Sequence, residues 1–267
     1  MKQTHTYQPQ KRAHGFTLVE LLVVISIIVI LAGIAAPTAM QALRHAERVQ
    51  ALANLRSVKG SLDIFAADFE GEYPGDSTAE QLANLRRDDD EPRQLRTSRL
   101  DGGRRLQGGR LHSETSAQHE AQLTSNDYFQ QLIGQGLDDE KLFYNKAFRR
   151  VFQMNRINND GKIDRGENIF GYTKNLLTTS SSHIPIVYDT PVSTGDSPQF
   201  SKKPWDGRIL VARLDGSTVP IMIGGTNDDQ GPVRETIRGR SINLFTEEAL
   251  EEGQLVPADL KRIGSGN

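Results

Sequence analysis

Residues Gly15 to Pro37 read G-F-T-L-V-E-L-L-V-V-I-S-I-I-V-I-L-A-G-I-A-A-P. Within them, Leu18 to Ala36 is a run of nineteen residues whose only charge is Glu20. As a helix rising about 1.5 Å per residue the run is roughly 28 Å long, close to the thickness of a bilayer core of about 30 Å. Its length and composition predict a membrane-crossing helix. After Pro37 the pattern turns amphipathic. Met40, Leu43, Leu52, Leu55, Val58, Leu62, Phe65 and Phe69 recur at helical spacing, with Arg44, Arg48, Arg56 and Lys59 assigned to other faces. The spacing predicts that the helix continues outward as a stalk over 37–72, ended by Gly71 and Pro74.

Glu20 needs a partner, because a carboxylate inside a spanning helix costs on the order of 2.5 to 3.5 kcal/mol at the centre and less near an end. It lies four residues, about one turn, after Phe16. A cut between Gly15 and Phe16 would create an α-amino group at the same end of the helix. That charge could neutralise Glu20 within one chain or between two chains in a bundle, and the second arrangement favours a filament.

The run K-R-A-H-G-F-T-L-V-E-L-L-V-V-I resembles the N-terminal signal of type IV pilins and of type II secretion pseudopilins: a short basic leader ending in Gly15, then Phe16, with Glu20 fifth after the expected cut. Pro37 falls where such proteins often kink their first helix. The resemblance covers about Arg12 to Pro37. It implies a leader over 1–15 removed by a membrane-embedded prepilin peptidase, N-methylation of Phe16, and use of Glu20 in assembly. It also implies a single span over 16–36 in the inner membrane and a soluble periplasmic or extracellular domain over 73–267. The expected partners are other pilin or pseudopilin subunits and the assembly platform, and the expected role is structural. Two plainer readings remain: a secretory signal with Gly33-Ile34-Ala35 as a small-x-small cleavage pattern, and a simple anchor. Lys2, Lys11 and Arg12 precede the span while Arg44, Arg48 and Arg56 follow it, so the orientation rests on the resemblance.

Composition narrows the function. The chain has 267 residues, a formal net charge of −2 and no cysteine. Such a balance gives no electrostatic footprint for nucleic acid, and the missing thiols exclude disulfides and a cysteine nucleophile. The sequence contains no G-x-S-x-G, H-E-x-x-H or dinucleotide fingerprint. Its histidines, at 5, 14, 45, 112, 119 and 183, are scattered over leader, stalk, polar insertion and loop. The sequence therefore predicts a non-enzyme.

In the C-terminal part, 86–122 mixes both charge signs with Gly and Ser and predicts a surface loop or disordered insertion. Asn126 to Met154 shows helical spacing in two parts, Tyr128 to Ile133 and Phe143 to Val151. Arg156 to Glu167 follows the EF-hand template at Asn158, Asp160, Gly161, Asp164 and Glu167, but Arg156 stands where the first carboxylate belongs. Calcium at Asn158, Asp160, Asp164 and Glu167 competes with a polar turn built on Asp160-Gly161. Some pseudopilins, which this chain resembles, carry a calcium loop in the soluble domain. Ile184–Tyr188, Ile209–Leu214 and Ser217–Ile223 predict strands, the last two forming a hairpin on Asp215-Gly216, with Pro220 at a sheet edge. Trp205 to Ser217 resembles the C-terminal hairpin of large pilin-like proteins. Thr246 is placed to cap a short helix stopped by Gly253, and Gly224-Gly225 is a plain turn. The expected fold is α+β and pilin-like: one long helix, half in the membrane and half on a small antiparallel sheet. The alternative from another class is a membrane-anchored binding protein, calcium-dependent or not, that never polymerises.

Overall fold

The computed structural model describes residues 16–90, 123–137, 139–225, 227–237, 240–250 and 253–263. The leader 1–15, including Gly15, and most of the polar insertion lie outside them. The chain divides at Ala46/Glu47 into two compact units.

The first unit is the start of helix α1 (Leu18–Asp68), which runs unbroken through Pro37. Every described residue from Phe16 to Ala46 is exposed. Met40 and Leu43, predicted to share the stalk's apolar stripe, are 63% and 62% exposed. No described residue covers the apolar run.

In the second unit the same helix becomes half-buried. Ala51, Leu55, Val58, Leu62, Phe65 and Ala66 point inward at the three- and four-residue spacing of one face. At about 1.5 to 3 kcal/mol for each large apolar side chain, their burial supplies the docking energy of this half of the helix. Lys59 departs from the expected exposed face and is 3% exposed. Its ammonium pairs with Asp63 one turn on, and the Tyr73 hydroxyl donates to the same carboxylate oxygen at 3.0 Å. The stem is buried because the charge has a partner. The helix ends at Asp68, four residues short of the expected Glu72, where Glu70 and Gly71 take positive φ (52° and 90°) and Gly71 N donates to Ala66 O at 2.8 Å. A Cβ on Gly71 would stand 2.7 Å from Thr178 Oγ1.

Helix α2 (Asp76–Asp90) takes in the first five residues of the predicted insertion, 86–90. In place of the two helices expected over Asn126 to Met154 stand a five-residue helix α3 (Ser125–Phe129) and two 3₁₀ turns, Glu140–Phe143 and Lys146–Arg150. Asp139 and Asn145 cap the two turns by accepting from Lys141 N and Ala147 N. The cap at Asn145 breaks the helical register between Phe143 and Ala147.

The first strands are β1 (Phe152–Gln153), β2 (Phe170–Lys174), β3 (Pro185–Asp189), β4 (Phe200–Ser201), β5 (Arg208–Arg213) and β6 (Thr218–Met222). They are followed by β7 (Gln230–Gly231), β8 (Arg234–Ile237), β9 (Arg240–Asn243), helix α4 (Glu247–Leu250), β10 (Gln254–Val256) and β11 (Lys261–Arg262). The main sheet is antiparallel in the order β10-β2-β3-β5-β6. The hairpin on Asp215-Gly216 and the edge position of Pro220, in β6, are as the sequence predicts. Thr246 O accepts from Ala249 N and Leu250 N at 3.0 Å, at the start of α4. Alternate residues of β5 face opposite ways: Leu210 and Ala212 join the cluster that includes the α1 stripe, while Ile209 and Val211 join a second cluster with Tyr188, Phe200, Val233, Leu244 and Phe245. Tyr188 crosses Gly171 so closely that a Cβ there would lie 2.5 Å from its ring. The arrangement is α+β, a long N-terminal helix with small antiparallel sheets, consistent with the expected pilin-like fold.

Asp189, at the end of β3, is 3% exposed. Its Oδ2 accepts from Trp205 Nε1 at 2.8 Å and from Leu210 N at 2.7 Å, and Oδ1 has no partner. Burial pushes its pKa up to about 7, against these two hydrogen bonds, which lower it. The folded form thus holds a proton that the unfolded form gives up above about pH 4. This group's contribution to stability is fully present below about pH 4 and is lost as pH rises to about 7, by at most about 4 kcal/mol. Asp189→Asn should flatten that part of the stability–pH curve, read by urea titration. Gly71→Ala should lower stability by about 1 to 3 kcal/mol, read as a lowered denaturation midpoint.

Candidate functional site

The first turn of α1 satisfies its own polar groups. Thr17 N and Thr17 Oγ1 both donate to Glu20 Oε2, at 2.9 and 2.8 Å, and Glu20 N donates back to Thr17 Oγ1 at 3.2 Å. This reciprocal pair is a capping box: the hydroxyl takes a first-turn amide, and the carboxylate returns to the amide before the helix. Phe16 precedes it, 72% exposed. Deeper in the run, Ser26 Oγ donates to Leu22 O at 2.7 Å and Thr38 Oγ1 to Ala35 O at 2.9 Å. Both hydroxyls are thereby satisfied without water, as hydrocarbon surroundings require. Pro37 offers no N–H to the Gly33 carbonyl four residues earlier, which makes this the soft point of the helix.

The second candidate, 156–167, is organised by residues far away in sequence. Glu140, 4% exposed, accepts from Asn159 N at 2.9 Å, Lys162 N at 3.2 Å and also Gly161 N. Asn159 and Gly161 reach this arrangement with φ of 53° and 80°. Gln130 spans the same loop, donating to Gly161 O and accepting from Ile163 N, both at 2.8 Å. Asn158, Asp160 and Asp164 are exposed, while Glu167 is 2% exposed and accepts from Asp164 N at 3.0 Å through Oε2. Burial raises the Glu167 pKa and the charges of Asp164, Glu140 and Asp160 add to it, against the Asp164 amide. Among the described residues no three Asp, Glu, His or Cys side chains stand together as a metal cage. The loop's amides converge on the Glu140 carboxylate, which holds the turn from inside.

A groove of about 450 Å³ is lined by Thr194, Asp196, Phe245, Leu250 and Leu255, among others. Among the described residues Asp196 is the only titratable side chain lining it.

Residues 10–36 match the family model described as the prokaryotic N-terminal methylation motif. The chain carries a type IV pilin-like prepilin signal. No curated protein and no solved structure matches the chain. The match spans the basic leader end, Phe16, Glu20 and the apolar run, the same residues on which the sequence resemblance rests. Among the described residues α1 is the one helix long and apolar enough to cross a membrane, and its apolar window is wholly unburied. The prepilin signal thus sits on a membrane-anchoring helix.

Thr17 is the residue of this signal that the sequence reading passed over. T-L-V-E is itself a capping-box pattern, Thr-x-x-Glu ahead of an apolar run, and was legible as such. Glu140 had no comparable signal, since nothing local links it to a loop about twenty residues on.

Thr17→Val should cost about 1 kcal/mol of helix start and so speed exchange of the Glu20 amide roughly fivefold in micelles, read by hydrogen exchange. Glu140→Gln should loosen the loop by about 1 to 3 kcal/mol and strip protection from the Asn159, Gly161 and Lys162 amides.

Proposed function

We propose that the chain is a structural subunit of a type IV pilin-like filament, either a pilus or a type II secretion pseudopilus. The observation that carries the proposal is Glu20, a carboxylate at the start of an exposed apolar helix inside the matched methylation motif. In this reading prepilin peptidase cuts between Gly15 and Phe16 and removes the leader 1–15. The new amine of Phe16 is then methylated, and Leu18 to Ala36 holds the subunit in the inner membrane as a single span. The domain beyond α1 lies in the periplasm or outside the cell. Assembly, on a platform in the same membrane, exchanges lipid around α1 for the helices of other subunits.

The capping box adds a physical step. Before assembly the Glu20 carboxylate is hydrogen-bonded within its own chain by Thr17, so the free subunit does not hold it bare in lipid. In the filament the Phe16 amine of a neighbour, a full positive charge, is the stronger partner in low dielectric and displaces the neutral hydroxyl. Size leans the choice of system slightly toward a pseudopilin or a large minor pilin.

Mass spectrometry of the native protein should show a chain beginning at N-methylated Phe16. Glu20→Val should leave cleavage and membrane insertion intact and abolish filaments, read by electron microscopy and by cross-linking between membrane helices. Normal filaments from this variant would sink the role given to Glu20, and a processed wild-type chain that never cross-links would favour the non-polymerising anchor.

A further inference from the structure

A surface turn of the second unit hangs on a buried carboxylate. In residues 202–207, between β4 and β5, Pro204 and Trp205 are buried while their neighbours Lys203 and Asp206 are exposed. The ends of the turn are tied by backbone: Lys202 N donates to Asp229 O and Ile223 N to Gly207 O, both at 2.9 Å, and Gly207 N closes the turn on Lys202 O at 2.8 Å. Asp206 and Gly207 take positive φ to do so (52° and 80°), a strained conformation for the aspartate. Inside, Trp205 Nε1 donates to Asp189 Oδ2 at 2.8 Å. The Trp205 ring also meets Phe148 edge-on, with centroids 5.9 Å apart. Phe148 belongs to the turn Lys146–Arg150, which is fastened to α1: Asn145 Nδ2 donates to Glu47 O at 3.1 Å, and Lys146 Nζ stands 3.4 Å from Glu47 Oε1. Trp205 thus braces the turn that grips α1.

While the turn is closed, Asp189 Oδ2 serves Trp205 and Leu210, and Oδ1 is buried with no partner among the described residues. An unmet oxygen is costlier on the ionised carboxylate than on the neutral acid. The charged side chains on the surrounding elements are turned elsewhere: Lys174 of β2 to Asp76, Arg213 of β5 to Glu235, Lys202 to the Gly225 and Asn227 carbonyls, and Lys203 to Asp229. Beside Phe148, Lys146 pairs with Glu47 and Arg149 lies over the Tyr144 ring. Neither these nor Arg150, Asp206 and Arg208 shift the Asp189 carboxyl, whose acidity is set by burial against its two hydrogen bonds. Strands β2 and β5 are each paired on both sides, so moving either breaks two ladders. The route to water that breaks fewest bonds runs through the 202–207 turn. We propose that Asp189 is a pH-operated catch: protonated, it keeps Trp205 seated, and ionised, it opens the turn to admit water and so slackens the brace on the 146–150 turn. Closed, the carboxyl titrates at about 7, and open, at the ordinary value of about 4. The opening equilibrium accordingly rises about tenfold per pH unit between about pH 4 and 7 and levels off above.

Trp205 is the only tryptophan of the chain, so its indole N–H gives a single signal. Hydrogen exchange is followed on the full-length protein in micelles and corrected for the intrinsic rate. Protection of the Trp205 indole and of the Gly207 amide should fall about tenfold per pH unit from about pH 5 to 7. It should not respond to about 1 M urea, whereas Val187 in β3 should exchange through global, urea-sensitive unfolding. Ala147, whose amide donates to Asn145 Oδ1 at 2.9 Å, should lose protection in step with Trp205. Asp189→Asn, neutral throughout, should remove the pH dependence from all three. The wild-type Asp189 carboxyl carbon gives a reading that needs no variant: its NMR titration should fall at about 7, together with the loss of Trp205 protection. Protection of Trp205 and Gly207 that is flat with pH, or that follows Val187 in urea, overturns the catch. A carboxyl titration at about 4, or an unchanged pH slope in folded Asp189→Asn, overturns it as well. Steady protection at Ala147 while Trp205 opens overturns the link to the α1-gripping turn.

Discussion

An apolar helix that no other described residue covers is the constraint on which the rest of this structure depends. From Phe16 to Ala46 every side chain is exposed, and at tens of calories per mole for each Å² of apolar surface left in water, that segment is not compatible with an aqueous monomer. Lipid can cover it, and so can copies of the same helix. The two coverings are close in energy, because hydrocarbon tails are about as apolar as leucine. In the filament proposed above a polar group tips the balance, and Glu20 is the charged group within the run.

The same helix is then asked to behave as a soluble core element from Ala51 to Ala66. The change is made by one face alone, where Leu55, Val58, Leu62 and Phe65 meet the sheet, while Val49 and Ile64 stay exposed. Lys59 enters this buried face only because Asp63 and Tyr73 neutralise and orient it. On the far side of the sheet, the second cluster closes over Tyr188, Ile209 and Val211. Asp189 sits between strands with one oxygen satisfied twice and the other not at all. A buried carboxylate of this kind costs stability near neutral pH and in return fixes Trp205 and the start of β5 in register.

Local pattern carried the reading wherever the interaction was local. The hairpin on Asp215-Gly216 was legible because the turn residues and alternating strands are adjacent in sequence, and Pro220 marked its own edge. The capping box at Thr17 and Glu20 was equally local and available to the eye. Strands β2 and β10 were missed because β2 pairs with β10 and with β3 across long separations. The stretch over Asn126 to Met154 kept helical spacing in sequence but not a helix in space, since the side chains of Asp139 and Asn145 claimed the amides that a longer helix would have used.

The sequence by itself determined the membrane-anchoring helix and its signal, because length, apolar composition and one misplaced charge are properties read along a line. Only the tertiary structure decided which carboxylate meets the amides of the 156–167 loop, where Lys59 is buried and what fastens the 146–150 turn to α1. Each of those depends on residues brought together from distant segments, Glu140 with Gly161, Tyr73 with Asp63, and Lys146 with Glu47. Template spacing placed Asn158, Asp160, Asp164 and Glu167 in order along the chain; packing brought the Glu140 carboxylate to the loop amides.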